Sequence, residues 1–178
     1  LLAAFFQSAT ARTAGFNTVD IGQMVPASLL FMMMLMFIGA GATSTGGGIK
    51  VTTFAVVLLA TRAFLTKRPH VTAFGRTLSP QIVTRSLAII IVSTMVLMLA
   101  MFLLMLTESQ SFDKIMFETI SAFATVGLST GITASLSEPG KLILVLVMIC
   151  GRLGPLTLAI MLARPVETRI RYPEESVY

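Results

Sequence analysis

Long apolar runs separated by short polar patches set the plan of this chain. Ser86 to Thr107, "SLAIIIVSTMVLMLAMFLLMLT", is apolar on every side and carries no charge. It matches the roughly 20 residues that a helix needs to cross a hydrocarbon core. Leu142 to Ala163 is a second run of this kind, interrupted by Arg152. A third begins at Ile21 and continues past Ile49 to Arg62, about forty residues or twice the length of one crossing. Its middle, "GAGATSTGGGIK" from Gly39 to Lys50, concentrates glycine, threonine and serine. Each glycine costs about 1 kcal/mol relative to alanine inside a helix, and the hydroxyls compete for backbone groups, so a helix break is predicted here. Irregular backbone at membrane depth survives only against protein or a water-filled cavity, so this stretch is predicted to line one.

Two shorter segments have a different pattern. Phe112 to Ala124 is amphipathic and too short to cross, and leads directly into "TVGLSTG" at Thr125 to Gly131. Leu1 to Ala11 leads in the same way into "TAGFNT" at Thr13 to Thr18. A constant offset aligns Phe5 with Phe117, Thr13 with Thr125, Gly15 with Gly127, Thr18 with Thr130 and Gly39 with Gly151, which defines an internal repeat. Repeats with interrupted helices point to a transport site near the membrane centre. A half-helix ending there directs its negative pole to the centre and favours a cation. Glycine in the turn that follows lets successive carbonyls point to one side and replace the water around an ion. Thr125, Val126 and Gly127 match the first three positions of the potassium-filter sequence TVGYG, and Leu128 and Ser129 do not match the last two.

Composition agrees with this plan: 55% of the 178 residues are hydrophobic and only 12% charged. A net charge of +5 raises the question of nucleic acid, but the placement of the charges answers it. Arg62, Lys67, Arg68, Arg76 and Arg85 share one loop between apolar runs, and Arg164, Arg169 and Arg171 follow the last run. Both segments are cytoplasmic by the positive-inside rule, which leaves Asp20, Glu108, Asp113 and Glu138 on the outer side. Cys150 is a single cysteine in a predicted span, so no disulfide framework is expected. His70 beside Pro69 is expected to be solvated rather than a metal ligand. Glu118, on the half-helix, is expected to anchor it to neighbouring backbone or to a basic group. A start at Leu1, with no basic leader or cleavage site, suggests a piece of a longer protein.

Four stretches in order, "TARTAGFNTVD", "GATSTGGGIKVTTF", "FETISAFATVGLSTGIT" and "GRLGPLTLA", resemble the Ktr/Trk/HKT superfamily of potassium transporters, specifically the bacterial Ktr-type membrane subunit. The resemblance implies an all-α membrane fold of span, pore helix, span repeats around one pore. Residues 1–61 would be the third repeat without its first helix, 62–85 a cytoplasmic loop, 86–163 the fourth repeat and 164–178 a cytoplasmic tail. It assigns filter roles to Thr13, Ala14, Gly15, Phe16 and Asn17, and to Thr125, Val126, Gly127, Leu128 and Ser129, with K⁺ held at their carbonyls. It makes Gly39, Ala40, Gly41, Ala42, Thr43, Ser44, Thr45, Gly46, Gly47 and Gly48 an intramembrane gating loop, with Lys50 beside it. Arg152 becomes a pore residue on the cytosolic side that repels cations and holds the loop. The implied function is K⁺ uptake across the plasma membrane by a multi-pass protein that is not an enzyme, with Na⁺ as a coupled or regulatory ion. Implied partners are a second membrane subunit, surrounding lipid and a cytosolic nucleotide-binding ring, for which the basic loop and Glu167 to Tyr178 are candidate docking surfaces. One glycine per filter implies looser backbone support and weaker selection of K⁺ over Na⁺.

Other readings account for fewer of these features. A phosphate-binding loop fails on spacing, because Gly41 and Gly46 are followed by Gly47 and Gly48 with Lys50 displaced, and no strand precedes them. A membrane scaffold in which Gly127 and Gly131 form a helix contact does not need half-helices. A less selective Na⁺-permeable transporter, or a carrier with a midplane site, is the alternative within the same frame.

Overall fold

The computed structural model describes residues 2–41 and 46–154. Among the described residues the apolar periodicity folds as six α-helices: α1 (Leu2–Thr10), α2 (Pro26–Phe37), α3 (Val51–Leu65), α4 (Pro80–Thr107), α5 (Phe112–Phe123) and α6 (Glu138–Leu153). Among the described residues α4 alone is both long and apolar enough to cross a membrane. At 1.5 Å per residue its 28 residues extend about 42 Å, whereas the 12 residues of α5 reach about 18 Å, well short of a 30 Å hydrocarbon core. The predicted span at Ser86 lies inside α4, which begins at Pro80, where proline fits the first helical turn. The predicted crossing to Ala163 and the tail from Arg164 lie partly or wholly outside the described residues.

Packing centres on α5, which contacts α2, α4 and α6. Its Phe117, with Ala124 just beyond its end, joins Leu29, Met32, Met33 and Met36 of α2 in one apolar cluster. Ile115, Ala122 and Phe123 join Leu97, Ala100 and Leu104 of α4 and Leu144 and Val147 of α6 in another. The buried positions of α4 and α6 recur at spacings of three, four or seven residues, as one helical face requires. The opposite face of α4 presents Ile91, Met95, Met98, Leu99 and Phe102 outward, the surface expected of a helix that meets lipid. Ser93, buried on α4, satisfies its hydroxyl on the carbonyl of Ile89 at 2.7 Å.

The basic loop is more ordered than an all-α expectation allows. Thr72–Ala73 (β1) and Arg76–Thr77 (β2) pair antiparallel. Phe74 (φ 48°) and Gly75 (φ 75°) form the connecting turn, and positive φ at both central positions suits the twist of a tight hairpin. Pattern reading missed it because two-residue strands have no measurable alternation.

Candidate ion site

The two segments aligned by the internal offset share local geometry step by step. α1 and α5 each end in a turn where a threonine and then a glycine take positive φ: Thr13 (70°) and Gly15 (75°), Thr125 (53°) and Gly127 (88°). Left-handed backbone at a β-branched residue is unfavourable, and its occurrence at both threonines marks a specialised turn. A single 3₁₀ turn follows at the same offset in each segment, Ile21–Gln23 and Thr133–Ser135, and then α2 or α6 begins at an early proline.

The turns meet. A Cβ on Gly15 would lie 2.5 Å from the carbonyl oxygen of Val126, and one on Gly127 would lie 3.8 Å from the Cα of Gly15. Backbone from the two segments therefore packs edge to edge, with glycine required at Gly15 by both φ and space. Behind each turn a hydroxyl on the short helix holds the carbonyl that follows the glycine. Ser121 Oγ donates to the Leu128 carbonyl at 2.6 Å, and Thr10 Oγ1 donates to the Phe16 carbonyl.

The ten residues expected to form the two turns have unequal surroundings. Val126 and Leu128 are each 3% exposed, and Thr125 and Ser129 are half-buried. Ala14, Phe16 and Asn17 are exposed, Phe16 at 72%. The Asn17 amide reaches only the neighbouring Val19 carbonyl, at 3.4 Å. Glu118 does anchor, through backbone and hydroxyl groups; no basic group joins it among the described residues.

Beneath Thr125 lies the glycine-rich stretch. α2 stops at Phe37 and α3 starts at Val51, and the chain between them is pinned at its base by a parallel bridge of Ile38 with Ile49. Gly39 N–H donates to the Ile49 carbonyl at 2.8 Å and Ile49 N–H to that of Phe37 at 3.2 Å. Gly47 N–H donates to Thr125 Oγ1 at 2.9 Å. A Cβ at Gly47 would lie 2.9 Å from the Phe123 carbonyl oxygen and 3.0 Å from Thr125 Oγ1. Lys50 Nζ donates back to the Gly46 carbonyl at 2.7 Å. Ala40 and Gly41 lead out of the bridge, Gly48 (φ 76°) rests on Ala124, and Ala42, Thr43, Ser44 and Thr45 lie outside the described residues. From α6, Gly151 packs directly on the Phe123 carbonyl, where any Cβ would collide. Arg152 has no ion pair among the described residues; with Thr125, Met148, Ile149 and Leu153 it lines a cavity of about 370 Å³ on the same side of the turn.

Three supporting groups were not among the expected site residues. Thr10 and Ser121 are signalled only by being hydroxyls on apolar helices. Glu108 holds the start of α6: it accepts the Ser137 N–H at 3.1 Å and also the Ser137 hydroxyl, which in turn accepts the Gly140 N–H at 3.2 Å. No group of three or more metal-ligating side chains occurs among the described residues.

Two short helices thus end in glycine turns that meet, with apolar helices packed around them. The chain belongs to the TrkH family of cation transport proteins, which matches residues 1–170. It is 66% identical to Ktr system potassium uptake protein B of Vibrio alginolyticus over 99% of this chain and 39% of that protein. It is 38% identical to potassium/sodium uptake protein NtpJ of Enterococcus hirae over 97% of this chain and 40% of that protein. The chain thus spans about two-fifths of the length of these relatives. The crystal structure of the potassium transporter TrkH from Vibrio parahaemolyticus superposes with a TM-score of 0.77 over 90% of this chain and 36% of that one, at 24% identity, a likeness of fold.

Proposed function

We propose that this chain forms the third and fourth repeats of a K⁺ uptake pore, over residues 1–61 and 86–163, joined by the cytoplasmic loop 62–85 and followed by the tail 164–178. Thr13 to Asn17 and Thr125 to Ser129 supply carbonyls to one filter. The observation that carries this reading is the meeting of the Gly15 and Gly127 turns, backbone to backbone, at the ends of helices too short to cross. Helix ends bring partial negative charge to that point, and carbonyl oxygens can replace part of an ion's water shell.

α2 and α3 are then two halves of one inner helix, and Gly39 to Gly48 is the gate between them. The Gly47 bond to Thr125 fastens this segment under the filter. Arg152, facing the same space as Thr125, opposes cation passage while the gate is shut. Transport is accordingly an uptake step through a gated pore in the plasma membrane, with no covalent chemistry. The name of the Enterococcus relative, potassium/sodium uptake protein, supports Na⁺ as a second or coupled ion. It equally suits the less selective alternative, since one glycine per turn leaves fewer fixed carbonyls.

The partners proposed are a second copy of the membrane subunit and a cytosolic nucleotide-binding ring. The ring is proposed to dock on the basic loop, whose hairpin holds Phe74 fully exposed at its tip. Ion uptake by the full-length protein in cells lacking their own K⁺ uptake tests the main reading. Rescue of growth at low K⁺ is expected, and Gly127→Ser is expected to raise Na⁺ entry relative to K⁺. An unchanged ion preference in that variant at normal membrane levels would remove the turns from the filter.

A further inference from the structure

We infer that the Glu118 carboxylate is a positioning residue for ion selection, fixing Ser129, Thr130 and Thr133 beyond the fourth-repeat glycine and making that turn the more rigid of the two in this chain. The inference rests on the filter reading above and adds to it a residue that does not itself touch the ion.

Glu118 is 5% exposed, in the middle of α5. Its Oε1 accepts the Ser129 hydroxyl at 2.5 Å, the Thr130 N–H at 3.0 Å and the Thr130 hydroxyl at 3.3 Å. Its Oε2 accepts the Thr133 hydroxyl at 2.9 Å. Ser129 Oγ, held this way, accepts the Gly131 N–H at 2.9 Å. One turn along the same face of α5, Ser121 holds the Leu128 carbonyl. Spacing of three residues puts Glu118 and Ser121 one above the other, so a single helix face grips three consecutive residues after Gly127. Glu118, Ser121, Thr125, Gly127 and Ser129 all border one cavity of about 310 Å³.

Two physical points turn this contact set into a role. Hydrogen bonds to a carboxylate are shorter and stronger than neutral ones, and four donors converging on one buried group leave little freedom to the segment that supplies them. A filter discriminates between ions by how well its carbonyls keep their spacing, so fixing the segment after the glycine acts on ion preference without contributing a ligand. The first segment has no such grip. Its position aligned with Glu118 is Phe6, and among the described residues the side chain that reaches its turn from α1 is Thr10.

Glu118→Gln in the full-length protein turns one acceptor into a donor facing donors while preserving shape. Half-saturating K⁺ is expected to rise about tenfold, the effect of losing one charged hydrogen bond, and preference for K⁺ over Na⁺ to fall. Maximal rate should change much less. Ser129→Ala and Thr133→Val each remove one donor and are expected to give the same split at about threefold. Glu118→Gln combined with Ser129→Ala should add little to Glu118→Gln alone, because both break one connection. Unchanged half-saturation and ion preference in Ser129→Ala and Thr133→Val would overturn the inference, even if Glu118→Gln fails to reach the membrane, since Glu118 would then serve folding alone. Failure of the transport reading looks different: the unmodified protein takes up no K⁺, or Gly127→Ser leaves ion preference intact, and the positioning role falls with it.

Discussion

The two glycine turns have nearly the same backbone and very different surroundings. Thr13 and Gly15 repeat the positive φ of Thr125 and Gly127 within about twenty degrees. Around the second turn, Val126 and Leu128 are buried and Glu118 ties the outgoing chain to α5. Around the first, Ala14 and Phe16 are exposed; Asp20 ties the outgoing chain locally by accepting the Gly22 N–H at 3.0 Å and the Gln23 amide at 2.9 Å, and Ile21 packs into the apolar cluster with Phe117, Val126 and Leu128. Turn conformation is thus set locally, by threonine, glycine and the short helix before them. Rigidity is set by what packs on the turn, and within this chain, which spans about two-fifths of its relatives' length, the contacts on the two turns differ.

The largest effect should come from the glycine that brings α6 against the end of α5. Gly151→Ala places a methyl on the Phe123 carbonyl, with backbone on both sides and no flexible side chain to yield. Overpacking of this kind costs about 1–3 kcal/mol or more, enough to lower the amount of folded protein in the membrane several-fold. Gly39, its counterpart by the offset, meets the Gly47 carbonyl at 2.5 Å, which belongs to a loop rather than a helix end. Gly39→Ala should therefore be the milder of the pair in membrane levels. Equal losses would indicate that the glycine-rich segment is as rigid as α6.

Comparing Gly15→Ser with Gly127→Ser sharpens the difference between the turns themselves. Both force a side chain onto left-handed backbone, but Gly15 also faces the Val126 carbonyl, whereas at Gly127 the nearest atom is 3.8 Å away. Gly15→Ser should cost more K⁺ uptake overall, because it pushes the two turns apart. Gly127→Ser should retain more uptake and display its effect as a loss of ion preference. Parallel uptake of K⁺ and Na⁺ by both variants gives the comparison, and an identical phenotype would mean that contact between the turns is unimportant.

Below the turns, α2 stops at Phe37 and α3 starts at Val51, while α6 carries Arg152 in its last turn. Shortening Gly39 to Gly48 should raise maximal K⁺ flux a few-fold with little change in half-saturation, and Arg152→Ala should act in the same direction. Applied together they should give less than the product of the separate effects, as expected for two groups acting on one closed state. Flux that falls in both, despite normal insertion, would assign the break to folding rather than gating.

Much of this was legible in the chain. The short helices and the end of α2 are local events, fixed by apolar length and by glycine placement, and Leu2–Thr10, Phe112–Phe123 and the stop at Phe37 lie within a residue or two of the predicted boundaries. What the sequence hid is tertiary. That Gly47 bonds Thr125, that Gly151 packs on Phe123, or that Glu118 faces hydroxyls rather than a basic group depends on which helix face meets which turn. The hairpin at Phe74 was hidden for a different reason, since strands of two residues carry no period.

The smallest effect, and the cleanest contrast with Glu118, should come from Asp20. Its carboxylate caps the 3₁₀ turn Ile21–Gln23 from an exposed position, and all of its bonds stay within three residues of itself. Asp20→Ala removes that cap and should cost about 1 kcal/mol, seen as a small drop in the thermal stability of the solubilised full-length protein. Ion preference and half-saturating K⁺ should not move, because the bonds lost do not reach the Gly15 turn. The two carboxylates thus separate a cap from a positioning group: Asp20 shifts stability alone, whereas Glu118 shifts ion selection. A change in K⁺ over Na⁺ preference in Asp20→Ala as large as that in Glu118→Gln would mean that both turns depend on their outgoing chain to the same degree, and the proposed difference in rigidity between the repeats would have to be abandoned.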